Sequence, residues 1–314
     1  MHILVTGSCG YVGTALTQKL LELGHKVTGV DIMWFGNFLK PHSNLTVIKE
    51  DIRNSDKLTL RGIDAIIHLA NVANDPCGEL DSKLAWEVNA LATMGLLENA
   101  IKNKVPQFIY ASSGSVYGVK EEPQVTEDLS LVPISDYNKT KMVSERVLLS
   151  YQDKIAIQIV RPATVCGYSP RMRLDLSVNM LAMQALAKGK ITVFGGNQVR
   201  PNINLKDMVR VYQHFLSLGA KVTGIFNAGF ENISILDIAQ RVTKLVPAEI
   251  VVTESNDPRS YRLNSDKLLA TGFKQEHTVA DAITEVIAAY RSGILKDEDN
   301  CYNLRVMKQF AGKN

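Results

Sequence analysis

Apolar residues in the first half of the chain fall into short β-branched runs, separated by longer stretches in which they recur every three or four positions. The runs lie at His2–Thr6, Lys26–Asp31, 45–50, 65–69, Gln107–Ala111 and 155–160. Strands with continuous apolar centres belong to sheets covered on both faces, and amphipathic stretches such as 84–101 supply the covering helices. Their alternation predicts right-handed crossovers and a doubly wound parallel sheet of the α/β class. After Arg161-Pro162 the rhythm breaks. Residues 166–174, rich in Gly, Pro, Ser and Arg, read as a loop. A helix over 176–188 follows, then a strand over 191–194 that ends in Gly195-Gly196. A last group holds strand Gly224–Ala228, a helix from Leu236, strand Glu249–Thr253, and helices near Asp266 and Val279. The pattern predicts a first domain over 1–165, with return segments at about 205–235, and a smaller α/β C-terminal lobe that is mainly 166–314.

At 314 residues and 46% hydrophobic, the chain can bury a full core. Its net charge of +3 comes without a run of Lys or Arg, which argues against a nucleic-acid partner. No apolar run approaches the roughly 18 residues that cross a bilayer, so no membrane partner is expected. The opening strand leaves no room for a secretion signal. Cys9, Cys77, Cys166 and Cys301 lack the spacing of metal ligands. They read as free thiols, with no metal site, in a reducing cytoplasmic compartment.

Chemistry enters at three places. Gly7, Gly10 and Gly13 sit between a strand and a helix, where they permit a tight turn, close approach of a pyrophosphate and close helix-on-strand packing. Tyr11 and Val12 belong to the same turn. Asp31 ends the second strand eighteen residues after Gly13, near the roughly 20 expected of a carboxylate that accepts from a ribose 2′-hydroxyl. No arginine adjoins it, and Ile32, Met33 and Trp34 follow, so NAD is favoured over NADP. Tyr137 and Lys141, four apart, share one helix face. A phenol with a reference pKa of about 10 becomes a usable base when cationic neighbours favour the phenolate. Ser113, at the C-terminal end of the fifth strand, is placed to hold the same substrate oxygen.

These pieces, in this order, resemble the extended short-chain dehydrogenase/reductases, in particular the sugar-nucleotide epimerase/dehydratase family typified by UDP-galactose 4-epimerase. The resemblance runs through Gly7–Gly13, Asp51-Ile52-Arg53, His68-Leu69-Ala70-Asn71, Asn89, Ser112–Gly118, Tyr137–Lys141 and Arg161-Pro162, and covers nearly the whole length. It implies a Rossmann-type cofactor domain and a substrate-binding C-terminal lobe. It also implies Asp51 and Ile52 near the adenine, and Leu69 and Ala70 along the cofactor channel. Ile32, Asn71, Asn89, Ser112 and Pro162 are further cofactor positions, and Lys141 would hold the nicotinamide ribose. Asn179, Val193–Gly195 and Arg200 would grip a nucleotide diphosphate, with Ser115, Thr164 and Arg259 also facing substrate.

The chain departs from the family in places that bear on activity. Gly114 and Ser115 stand where 4,6-dehydratases carry an Asp-Glu pair, which disfavours dehydration. Thr164 replaces a substrate-binding Asn of the 4-epimerases, Cys166 a Tyr, and Glu254 a basic residue. Cys166 is read as a pocket-wall residue, His68 as a strand-end core residue, and Arg171 and Arg173 as a solvated loop face or phosphate contacts. Arg259 and Tyr261 would close the far side of the pocket. The expected activity is NAD-dependent epimerisation of a nucleotide-diphosphate sugar at C4, through a transient 4-keto intermediate. A 4-keto-sugar nucleotide reductase or dehydrogenase on the same residues is the alternative, and a catalytically silent dinucleotide-binding regulator a third. Apolar residues beyond what one sheet face needs, Leu96, Leu97, Val143, Val147 and Leu148, predict a homodimer through two helices, as the resemblance implies.

Overall fold

The computed structural model describes residues 1–254 and 260–310. Its first half runs β1 (His2–Thr6), α1 (Tyr11–Glu22), β2 (Lys26–Asp31), β3 (Leu45–Lys49), β4 (Ala65–His68), α2 (Asp75–Leu80), α3 (Ser82–Trp86), α4 (Ala92–Lys102), β5 (Gln107–Ala111), α5 (Asp136–Leu149) and β6 (Ala156–Pro162). Then come β7 (Thr164–Cys166), α6 (Ser177–Lys188), β8 (Lys190–Phe194), β9 (Val199–Asn204), α7 (Leu205–Leu218), β10 (Gly224–Ala228) and β11 (Glu231–Ser234). The last elements are α8 (Ile235–Thr243), β12 (Glu249–Thr253), α9 (Asp266–Leu269), α10 (Val279–Arg291) and α11 (Asn303–Met307).

Seven strands pair in parallel in the order β10-β6-β5-β4-β1-β2-β3, the doubly wound sheet expected from the apolar pattern. Successive side chains leave a strand on opposite faces. Ile3 and Val5 therefore join Leu16, Leu20 and Tyr212 in one core, while Leu4 joins Ile66, Phe108 and Leu97 in the other. The direction of winding reverses between β1 and β4. In such sheets the crevice at the carboxyl ends of those strands is where ligands collect. There are two smaller sheets, β11-β9-β7, whose Thr164 and Arg200 line this crevice, and β12-β8.

The structure differs from the pattern in places that matter. Residues 84–101 are helical throughout, but a single π turn over Glu87–Leu91 joins α3 to α4. Asn89 lies in that turn, fully buried, and its amide accepts from Val72 N–H at 2.8 Å and donates to Thr140 at 3.0 Å. Cys166 ends a strand rather than opening the loop. Strands β9 and β11 gave no signal, because Arg200-Pro201-Asn202 and Glu231-Asn232 lack an apolar run. Leu96, Leu97 and Leu148 are fully buried within this one chain. They fill the core under α4 and α5, and so are not surplus apolar surface.

Candidate active site

The glycine turn carries a physical requirement at two positions. Gly7 has φ +69°, and a Cβ there would lie 2.7 Å from the Ala70 backbone nitrogen. A Cβ on Gly13 would lie 1.9 Å from the Gly7 carbonyl oxygen, so only glycine lets α1 pack this close to β1. Helix α1 then starts with no side-chain cap and no acidic residue in its first turn. Its first N–H groups are open to an anion, as a phosphate cradle requires.

Asp31 turns back over the cradle. One oxygen accepts from Cys9 N–H at 2.9 Å and the other from Met33 N–H at 2.6 Å. Each oxygen keeps a lone pair, so the carboxylate can still accept from a ribose. Burial raises its pKa, against the two amides and the charge of Arg171. Farther along, Asp51 caps a 3₁₀ turn and receives Arg53 through two nitrogens, at 3.0 and 2.7 Å. Burial opposes its ionisation, but Arg53 outweighs this and holds the carboxyl below its usual range. Ile32, Ile52, Leu69, Ala70, Asn71 and Pro162 line the same cleft, with Trp34 and Phe35.

At the other end the cleft is lined by Ser112, Ser113, Ser115, Tyr137 and Lys141. Ser135 caps α5 and accepts from Asn138 N–H, which starts the helix so that Tyr137 faces the crevice. The Ser113 and Ser115 hydroxyls lie 2.7 Å apart, and Ser115 donates in turn to Asn138 Oδ1. Burial and the negative charge of Asp75 push the Tyr137 phenol up to about 12, against a hydrogen bond with Ser113 and the positive charge of Arg173. Lys141 donates to the Ala111 carbonyl at 2.5 Å, and its ammonium lies 5.8 Å from the centre of the Tyr137 ring. Burial brings it down to about 7, with Glu145 pulling the other way.

A buried network that sequence reasoning missed sets this end. Arg161 donates to Glu145 at 2.9 and 2.6 Å, and Ser112 donates to the same carboxylate at 2.5 Å. A fully paired buried ion pair of this kind is costly to break, and it ties β5, β6 and α5 together. Asp75 was also missed. It lies at the start of α2, lines the cleft, and accepts from Ser135 at 2.5 Å and Asn138 at 3.0 Å. Its only sequence signal was the turn-prone Asn74-Asp75-Pro76.

Thr164, Arg200, Tyr212 and Tyr261 line the cleft together with Arg173 from the loop after β7, and Arg171 of the same loop lies over Phe35 on the side of Asp31. Neither arginine is a solvated face. Arg173 pairs with Asp175 at 2.9 and 3.1 Å, and Arg171 is 2% exposed. Three expected contacts stand elsewhere. Asn179 is buried behind the cleft, where its amide binds Gly167 N–H, the Tyr11 hydroxyl and the Arg173 carbonyl. Val193 is core, and Asn89 serves the π turn. Cys166 is buried in the core with its thiol on the Ile203 carbonyl, not in the pocket wall. His68 is core as expected, held by Thr6 and Thr93 and pushed down to about 3 by burial and then by Lys141. Arg259 lies outside the described residues.

A parallel sheet with an uncapped glycine-turn helix, an acid at the end of β2, and Tyr137, Lys141 and Ser113 around one point define a dinucleotide-dependent enzyme of the extended short-chain dehydrogenase/reductase class. Residues 3–229 match the family described as NAD dependent epimerase/dehydratase, and the chain belongs to it. YtcB of Bacillus subtilis (strain 168), described as an uncharacterized UDP-glucose epimerase, is 33% identical over 227 residues, which cover 67% of this chain and 71% of that one. A UDP-glucose 4-epimerase of Lactobacillus helveticus is 26% identical over 90% of this chain and 94% of its own. The UDP-glucuronic acid 4-epimerase of Bacillus cereus, solved with UDP-glucuronic acid and NAD, superposes with a TM-score of 0.82 at 28% identity, over 93% of this chain and 99% of that one. Among the described residues, no helix is long and apolar enough to cross a membrane.

Proposed function

We propose that the protein epimerises a nucleotide-diphosphate sugar at C4 with NAD as cofactor. The observation that carries this reading is the grouping of Tyr137, Ser113 and Lys141 at the end of the cleft, beside a Ser115 whose hydroxyl is engaged by Ser113 and Asn138. Bound NAD supplies the chemistry of hydride removal from, and return to, the sugar carbon. Tyr137 takes the C4 hydroxyl proton and later gives it back, while Ser113 holds the same oxygen. Lys141 binds the nicotinamide ribose, and its charge, moved towards the phenol, brings Tyr137 down from about 12. Gly114 and Ser115 hold no carboxylate to move protons at C5 or C6, which argues against dehydration. Thr164 and Arg200 sit where the sugar and its diphosphate would lie, and Arg suits a phosphate because its planar fork binds two oxygens.

In this reading 1–165, with the return at 205–235, is the cofactor domain and 166–314 mainly the substrate lobe. The four unpaired buried cysteines fit a reducing, cytoplasmic compartment. Leu91, 58% exposed beside α4, and the half-buried Val143 and Val147 of α5 support a homodimer across these helices. Sedimentation as a monomer at micromolar concentration would remove it. The function is tested by incubating the protein with UDP-, GDP-, CDP- and dTDP-sugars. The expected result is a C4-inverted product by NMR with no net change in NADH absorbance.

A further inference from the structure

Two buried arginines and one nearly so sit differently. Arg161 has Glu145 and Arg173 has Asp175, each at ion-pair distance. Arg171 is as buried as Arg161, yet among the described residues no carboxylate lies at ion-pair distance from it; Asp175 and Asp31 act on it only through longer-range charge, and its Nε has no hydrogen-bond partner. Its contacts are one donation from a terminal nitrogen to Asn303 Oδ1 at 2.5 Å and the face of Phe35, 4.0 Å from the guanidinium carbon. A desolvated, unpaired guanidinium is unfavourable unless an anion meets it. The surroundings say which anion. Arg171 lines the cleft, and its loop rests on the first turn of α1 through Ser169, which donates to the Tyr11 carbonyl at 2.8 Å, and through the Tyr11 hydroxyl, which donates to the Gly167 carbonyl at 2.6 Å. That turn holds the open N–H groups of the cradle.

We propose that Arg171 is a ligand of the cofactor's pyrophosphate, facing α1 from across the cleft and held there by the C-terminal segment. Asn303 orients the guanidinium while its own N–H donates to Asp175 at 3.2 Å. Seven residues on, Phe310 stacks on Trp34 of the cleft wall, with ring centres 5.5 Å apart. The pyrophosphate would thus be gripped between an element of the first half of the chain and a loop of the second, with residues 303–310 fastened over the adenosine side. An epimerase that returns its own hydride must keep NAD through each turnover, and this arrangement would do so. The inference rests on reading the cleft as a dinucleotide site.

The experiment strips the protein of NAD, reloads it with NADH, and follows the loss of NADH fluorescence on chase with excess NAD. No sugar nucleotide is present. Arg171→Met should release NADH roughly ten- to a hundredfold faster, the loss of one charge-assisted contact. Arg171→Lys should restore part of the retention, and Asn303→Ala and Phe310→Ala should each show a smaller acceleration. A purely structural arginine would destabilise the fold when removed. Here the cofactor-free Arg171→Met protein should melt at or above the wild-type temperature, because an unpaired buried charge has gone. An unchanged release rate in Arg171→Met, or a lowered melting temperature of its cofactor-free form, overturns the proposal. Wild-type protein that binds no NADH would instead overturn the dinucleotide reading itself.

Discussion

At the cofactor end of the cleft, Gly7, Gly13, Asp31 and Asp51 stand on or beside the consecutive elements β1, α1, β2 and β3, fixed by backbone packing and backbone hydrogen bonds among neighbouring elements of one sheet. At the opposite end, Thr164, Arg173, Arg200, Tyr212 and Tyr261 come from five segments brought together by the small β11-β9-β7 sheet and by side-chain packing across the chain. The first end is a local solution to one ligand. The second is assembled, so its chemistry can change without disturbing the sheet. Tyr137 and Lys141 sit at the junction, on a helix pinned to the sheet by Glu145 and Arg161.

The largest effect should come from that junction. Tyr137→Phe should lower turnover by roughly a hundred- to ten-thousandfold, the usual worth of a positioned acid/base, while NAD binding and melting temperature stay near wild type. Turnover kinetics with equilibrium NADH titration check this. Unchanged turnover would take the tyrosine out of the mechanism.

At the cofactor end, Asp31→Ala should weaken NAD binding by about ten- to a hundredfold and narrow the gap to NADP, with Asp31→Asn less severe. Equal binding of both cofactors by the wild type would show that Asp31, despite its two backbone bonds, does not select. Lys141 sharpens the contrast from the side of stability. Its folded value of about 7 lies below the ordinary 10.5, so between those limits the unfolded chain holds more protons and the cofactor-free protein should grow more stable as pH rises. His68, at about 3 against 6.5, acts in the same sense, and stability should fall as pH drops below 6.5. Lys141→Met should abolish turnover, raise the melting temperature of the cofactor-free protein, and flatten its rise above pH 7. A lower melting temperature would mean that the ammonium is a structural donor to Ala111 first. The smallest change is expected for Ser115→Ala, about fivefold in turnover, since its hydroxyl supports Ser113 rather than moving a proton.

The same contrast governed what could be read from the sequence. The strands of the main sheet announced themselves as apolar runs, and Gly7, Gly13, Asp31, Tyr137 and Lys141 did so by spacing, because each acts through local geometry. Asp75 and Asn303 gave little or no such signal: the first is brought to the cleft by α2 packing on α5, the second by a C-terminal segment folding back. Asn179 and Val193 were expected in the pocket and lie behind it, since a residue's place relative to a motif does not settle which way it faces when a loop such as 167–171 intervenes. Ser115 held by Asn138, and the Glu145–Arg161 pair, depend on contacts between elements that no periodicity records.

Epimerisation at C4 requires that hydride leave and return within one turnover. Its most direct test is a C4-deuterated UDP-sugar given to the NAD-loaded protein, with product NMR and NADH absorbance followed together. The expected product is C4-inverted and keeps its deuterium, with no accumulation of NADH. A product formed in step with consumption of added NADH, or one that carries hydrogen at C4, would contradict it.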